Sequence, residues 1–314
     1  MDVFNAVLVV VGLSLFEGVS SLDNAIINAE VLRTMGEKAR RWFLVWGIFF
    51  AVFVVRGVLP WLILFAVSPE LGFWGSLTAT FSNDPRAAEA IARSAPTLLM
   101  GGGIFLVFLF FHWLFLEPKK FGLAGESFFL RQGVWFYAVV SVLLSLTVWF
   151  ALEKDPMIAF GAVVGSTAFF ITHGFKQNAE QAERQILSGT TPMSDVAKIL
   201  YLEIIDMTFS IDGVLGAFAF TMSIPLILIG NGFGAIMVRQ FTIGNIERIK
   251  KYVYLKNGAM YSVLVLGAIM MLHGFGWHIP EWLSPSVTIL IIGGFWWKSV
   301  RAVRAAAAPP APAS

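Results

Sequence analysis

Residues 13–32 read LSLFEGVSSLDNAIINAEVL. The stretch is greasy enough to lie in lipid, yet it carries Glu17, Asp23 and Glu30. What surrounds those acids decides the fold. Of the 314 residues 57% are hydrophobic and 13% charged, whereas a soluble domain carries about 25% charged residues. Mean hydropathy is +0.77. Many of the 30 Phe and 11 Trp stand near the ends of apolar runs, where aromatic rings anchor a helix at a lipid interface. This composition specifies an all-α polytopic membrane protein.

The absence of Cys excludes disulfides, thiolate metal sites and cysteine nucleophiles. The four His (His112, His173, His273 and His278) include no pair at the i, i+4 spacing of a helical zinc site. Any bound metal therefore meets mainly oxygen, which suits manganese, magnesium or calcium. No HExxH, GxSxG or Walker loop is present, and the connecting segments are too short for a nucleotide domain. The expectation is a protein that is not an enzyme, with no prosthetic group and no nucleic-acid partner. Its partners are the lipid bilayer and a divalent metal ion.

About 20 apolar residues cross a bilayer as helix. That ruler places nine spans near 5–32, 42–67, 96–116, 132–152, 157–173, 197–222, 225–246, 258–275 and 283–300. The first run lacks a basic leader, with Asp2 its only early charge and Arg33 the first basic residue, so it reads as a retained span. Basic residues concentrate in alternate connections: four in RTMGEKARR, three in EPKKFGLAGESFFLR, three between His173 and Lys198, four in ERIKKYVYLK and three in KSVRAVR. The positive-inside rule then puts the N-terminus outside and the C-terminus in the cytoplasm. Residues 1–304 are expected to form a single transmembrane domain that crosses the inner (cytoplasmic) membrane many times, and the motifs below give it a transporter reading. Residues 305–314 are an Ala/Pro tail, expected to be disordered. Oligomeric state is not readable from the chain.

Residues 203–215, EIIDMTFSIDGVL, repeat the opening pattern. Glu17 aligns with Asp206, Ser21 with Ser210, Asp23 with Asp212, and Asn24 with Gly213. The following spans align as well: GIFFAVFVVR (47–56) and GNGFGAIMVR (230–239) share Gly47/Gly230 and Arg56/Arg239. A weaker match pairs His112 with His273. The motifs fall in spans one and six, an odd offset, so the repeats (about 5–116 and about 197–275) have opposite orientation. Inverted repeats recur in secondary transporters, with the site at the repeat interface near mid-membrane.

An Asp at the centre of a span costs about 2.5–3.5 kcal/mol. Arg56 and Arg239 neutralise two carboxylates, which leaves an acid excess that suits a cation. On an unbroken helix, residues six apart differ by about 240° and rise about 9 Å. A break near Ser20–Asn24 would turn Glu17 and Asp23 toward one cavity and free carbonyl oxygens as ligands. A permanently charged guanidinium would hold a carboxylate while the ion is absent. Glu203, His112 and His273 are candidates for a proton path. Glu30 has no counterpart in the second motif and drops out.

At EGVSSLDNA and EIIDMTFSIDGVLGAFA the chain resembles the TerC family of integral membrane proteins, within the wider LysE-like transporter group. It looks most like the branch long filed under a domain of unknown function. The resemblance implies manganese export from the cytoplasm, with Glu17, Asp23, Asp206 and Asp212 as metal ligands and Asn24 and Ser210 as helpers. The expected function is a divalent-cation transporter working by alternating access, with proton coupling as an option. The alternative is a membrane scaffold or metal-delivery factor for exported metalloproteins. An amino-acid exporter fits less well, because the core carries excess acid instead of a balanced pair for a zwitterion.

Overall fold

The computed structural model describes residues 2–47, 49–50, 54, 56–79, 85–187, 193–249 and 251–307. Thirteen α-helices and no strand occur among these residues. Helix α1 (Val3–Ser20) starts where the Asp2 carboxylate accepts the Asn5 amide N–H at 2.7 Å. It stops at Ser21 (φ −84°, ψ 3°), and the chain resumes as α2 (Leu22–Arg33). A one-residue irregularity thus falls inside the expected interval Ser20–Asn24, but Ser21 N–H still donates to Glu17 O and Ala25 N–H to Ser21 O, both at 2.9 Å, so these carbonyl oxygens are not freed. Helix α3 (Glu37–Trp42) runs into a π-helical turn over Phe43–Gly47, and α4 (Arg56–Val67) and α5 (Gly72–Ala79) follow.

Helices α6 (Pro85–Leu116), α7 (Glu126–Arg131), α8 (Phe136–Leu152) and α9 (Pro156–Leu187) come next. The remainder is α10 (Asp195–Ala217), α11 (Ile224–Ile249), α12 (Leu255–Gly274) and α13 (Leu283–Ala307). Residues 308–314 of the Ala/Pro tail lie outside the described residues.

Five helical segments among the described residues are long and apolar enough to cross a membrane: Val3–Ser20, Glu89–Leu116, Gly133–Leu152, Pro156–Asn178 and Leu255–Gly274. The architecture is that of a helical membrane protein. Of the other four expected spans, 42–67 includes residues outside the described ones and 225–246 includes side chains outside them, and the remaining two carry charge. Asp206, Asp212 and Glu203 lower the hydropathy of α10. Helix α11 has a shorter apolar run, Ile224–Val238. Lys298, Arg301 and Arg304 occupy the last turns of α13. A larger difference concerns α9. Apolarity alone ends the fifth span at His173, whereas α9 continues to Leu187. The sequence after Phe175, KQNAEQAERQIL, is rich in strong helix formers, so the helix outlasts its apolar part.

Helix α6 is the central post, with Met100, Ile104, Phe105, Leu106, Phe108 and Trp113 fully buried. Within lipid there is little hydrophobic drive between helices, so close approach relies on small residues. The Gly101–Gly103 run performs that task on two sides. A methyl group at Gly101 would lie 2.8 Å from the Gly161 carbonyl oxygen of α9. One at Gly103 would lie 2.8 Å from the Gly267 carbonyl oxygen of α12. Helices α6 and α12 are antiparallel: Gly274 faces Pro96, Gly267 faces Gly103, and Tyr261 stacks near Phe110 at 5.4 Å. Helices α1 and α11 run parallel, joined by the Ser14 hydroxyl donating to Gly230 O at 3.0 Å. The outer face of α8 presents Tyr137, Val142, Leu146, Trp149 and Phe150, an apolar surface suited to lipid.

Candidate functional site

Glu17 occupies the last turn of α1 and is fully buried. Ser21, at the step between α1 and α2, donates its hydroxyl to Glu17 Oε1. The Glu17 carboxylate also lies against Gly213 of α10, where a methyl group would collide with Oε2. Asp206 of α10 is 2% exposed. Its Oδ1 accepts from the Asn24 amide at 2.5 Å and from the Asn28 amide at 2.9 Å, both on α2. Each leading acid thus meets the closing residue of the opposite motif: Asp206 meets Asn24, and Glu17 meets Gly213. The neighbouring glycines cross over in the same way. Gly230 packs on Leu13 and Ser14, while a methyl group at Gly47 would lie 2.5 Å from Glu203 Oε1. Ser14 and Glu203 are the residues three before Glu17 and Asp206.

The two motifs differ in their serines. Ser21 serves a side chain and sits at a break, whereas the Ser210 hydroxyl donates to Asp206 O at 2.5 Å, one turn back. That backbone bond is compatible with continuous helix, and α10 is unbroken through the motif. Asn231 of α11 closes the cluster, donating to Gly213 O at 3.4 Å.

Among the described residues, Asn24 Oδ1, Asn28 Oδ1, Asn231 Oδ1 and Asp212 Oδ1 are buried without a hydrogen-bond donor. Leaving a buried acceptor unpaired costs about 1–3 kcal/mol, so four in one region call for a compensating positive charge. Asp212 has one such partner, an ion pair from its Oδ2 to the Lys176 ammonium of α9. No group of three His, Asp or Glu that could hold a metal occurs among the described residues. The side chains of Asp23, Arg56 and Arg239 lie outside them.

Of the proton-path candidates, Glu203 lies beside Gly47. His112 and His273 stand toward opposite ends of the antiparallel α6/α12 pair. His273 Nε2 accepts the Ile279 amide N–H at 3.4 Å, whereas His112 lies against His173 with ring centroids 3.8 Å apart. His112 Nδ1 is also 3.6 Å from Glu117 Oε1, and Glu117 pairs with Lys256 at 2.8 Å. Burial would raise the Glu117 carboxyl, but the nearby His112 imidazole and the Lys256 ammonium outweigh it and hold the group well below the usual carboxylate range.

A depressed carboxyl contributes stability that is present above its unfolded value of 4.5 and lost as pH falls below it. Glu117→Gln is therefore expected to lower thermal stability in detergent at pH 7, with the difference from wild type narrowing between pH 4.5 and pH 3. A difference that stays constant across that range would refute the assignment. Nearby, Lys119 donates to Trp113 O at 2.5 Å and Leu114 O at 2.7 Å, closing the C-terminal end of α6. Burial pulls its amine down to about 8, against the pull of Glu126 and Glu117.

Sequence reasoning misses Lys176, Asn28, Asn231 and His173. Asn28 is one turn after Asn24, a spacing that puts both on one helix face. Lys176 lies beyond the apolar limit of its span, so no hydropathy signal marks it.

Residues 22–306 match the family model described as Protein of unknown function (DUF475). The chain belongs to the DUF475 family. The DUF475 match starts one residue before Asp23 and takes in the whole second motif, leaving Glu17 just upstream. No curated protein and no solved structure matches the chain.

Proposed function

We propose that this DUF475 protein transports divalent cations across the inner (cytoplasmic) membrane and exports manganese from the cytoplasm by alternating access. One observation carries the proposal. Around Asp206 and Asp212, among the described residues, the amide oxygens of Asn24, Asn28 and Asn231 and Asp212 Oδ1 are buried without a hydrogen-bond donor. Such oxygens are the ligands that hard cations take. We assign Asn24, Asn28 and Asp206 as one ligand group and Asp212, about 9 Å further along the unbroken α10, as a second, with Glu17, Asp23 and Asn231 completing the ion's path, and Ser210 orients Asp206 through its backbone. The ion is cargo and not a resident cofactor.

The crossed contacts support an inverted repeat. Asp206 with Asn24 and Glu17 with Gly213 exchange partners as a two-fold axis between the halves requires, and so do Gly230 with Ser14 and Gly47 with Glu203. The parallel packing of α1 and α11 fits a nine-span reading in which they are the first and seventh spans. The resemblance of both motifs to TerC-family sequences favours manganese as the ion.

The test is flux in liposomes containing the purified protein alone, with manganese, magnesium, calcium and zinc offered separately. Wild type is expected to move manganese unaided, with Asp23→Asn and Asp212→Asn each at least about tenfold slower. Unaided flux separates a transporter from a scaffold that needs a partner. Equal flux in both variants and wild type would remove the proposed site.

A further inference from the structure

The side chains of Lys176 and Asp212 are only 13% and 17% exposed, and they form a direct ion pair. Lys176 belongs to α9, between the two proposed repeats, and it stands where the apolar part of that helix ends, near Asn178. Two other acids act on Asp212 electrostatically, Glu117 and Glu17, and each has a partner of its own: Lys256 for the first and Ser21 for the second. Resting on the proposed cation site, we infer that the Lys176 ammonium is the resident counter-cation of Asp212, and that a divalent ion binds by displacing it.

The physical reason is competition for one carboxylate in a poorly screened setting. A divalent ion at Asp212 and a lysine ammonium a few ångströms away repel each other strongly where water is scarce. Removing one partner from a buried pair leaves the other charge uncompensated, so an empty site without Lys176 would be costly. A lysine suits the exchange better than an arginine would. Its charge is compact and its stem flexible, so the ammonium can swing from the core to the polar end of α9 and stay solvated. Lys176 thus keeps the empty site neutral and sets a threshold that an entering ion must exceed. A monovalent ion offers no more charge than the ammonium it would replace, so the same residue favours divalent over monovalent cargo.

The experiment is manganese binding to the full-length protein in detergent by titration calorimetry, with Lys176→Met, Lys176→Arg and Asp212→Asn beside wild type. Lys176→Met is expected to bind manganese about tenfold or more tightly than wild type, and Lys176→Arg to stay within about threefold of it. A purely structural lysine would give the opposite sign, weaker binding on removal. Equal or weaker binding by Lys176→Met, with Asp212→Asn still defective, overturns the displacement and leaves the cation site standing. No binding by any of the four proteins overturns the site and the displacement together. Because Lys176→Met strands a buried acid and can fail to fold, wild type supplies a second measurement. Manganese should increase acylation of Lys176 by an amine-reactive ester at least about threefold, read by peptide mass spectrometry, while magnesium-free and manganese-free controls stay low. Unchanged labelling also overturns the displacement.

Discussion

Asp206→Asn protein reconstituted in liposomes is expected to move manganese about a hundredfold more slowly than wild type, while remaining folded and monodisperse. The substitution separates charge from hydrogen bonding. One carboxylate oxygen accepts both the Asn24 and the Asn28 amides, and an asparagine oxygen can accept the same two donors in the same place. The bridge between α2 and α10 therefore survives. What disappears is a negative charge that is 2% exposed in the region where carbonyl oxygens of Asn24 and Asn28 have no donor. The charge count of the ligands is a main control on the affinity of an oxygen site for a divalent ion, so its loss should act on binding much more than on folding. Asp206→Ala removes the acceptor too and should lower thermal stability as well as flux. Wild-type flux in Asp206→Asn would exclude the residue as a ligand, whatever its structural role.

The largest effect on stability is expected at a residue with no side chain. Gly165→Leu should cost about 3 kcal/mol or more and leave little monodisperse protein after extraction. A methyl group at Gly165 would already overlap the backbone of Gly101, and Gly161 is equally tight against Thr97. Backbone atoms cannot rotate aside, so the whole α6/α9 contact would have to open. Helix α6 is the most buried long helix of the fold, and a shift there is passed to α12 through Gly103 and Gly267. Gly174 on the same helix is the control, because a methyl group there meets nothing within 4 Å. Gly174→Ala should be neutral or slightly stabilising, by up to about 1 kcal/mol, because alanine suits a helix better than glycine. Equal melting temperatures for Gly165→Leu and wild type in size-exclusion-based thermal assays would refute the packing account.

The parts of this molecule that read clearly in the sequence are those that violate the rules of lipid. Glu17, Asp206 and Asp212 stand out because acids are costly in an apolar run, and their common spacing ties two distant segments together. The Gly101–Gly103 run is visible in the sequence as three small residues, but which helix each glycine touches is not legible there. Lys176 is silent for the opposite reason: past His173 the residues are polar, and a helix that continues there looks the same as a loop. Asn231 is hidden because nothing about a single amide in α11 announces Gly213 as its partner. The break at Ser21 can be foreseen, but its absence at Ser210 cannot. It depends on whether a serine hydroxyl turns to a side chain or to the carbonyl one turn back, and both choices are open to the same residue type.

That difference between the serines gives the two halves unequal mechanical character. Glu17 ends a rod that meets the next one at a one-residue joint, and Asp206 sits inside a rod without a joint. At Ser21 the backbone departs from helical geometry for one residue, with Ser21 N–H still donating to Glu17 O and Ala25 N–H to Ser21 O. No such departure occurs at Ser210, inside a 23-residue helix. The N-terminal arm is thus the compliant member and α10 the stiff one.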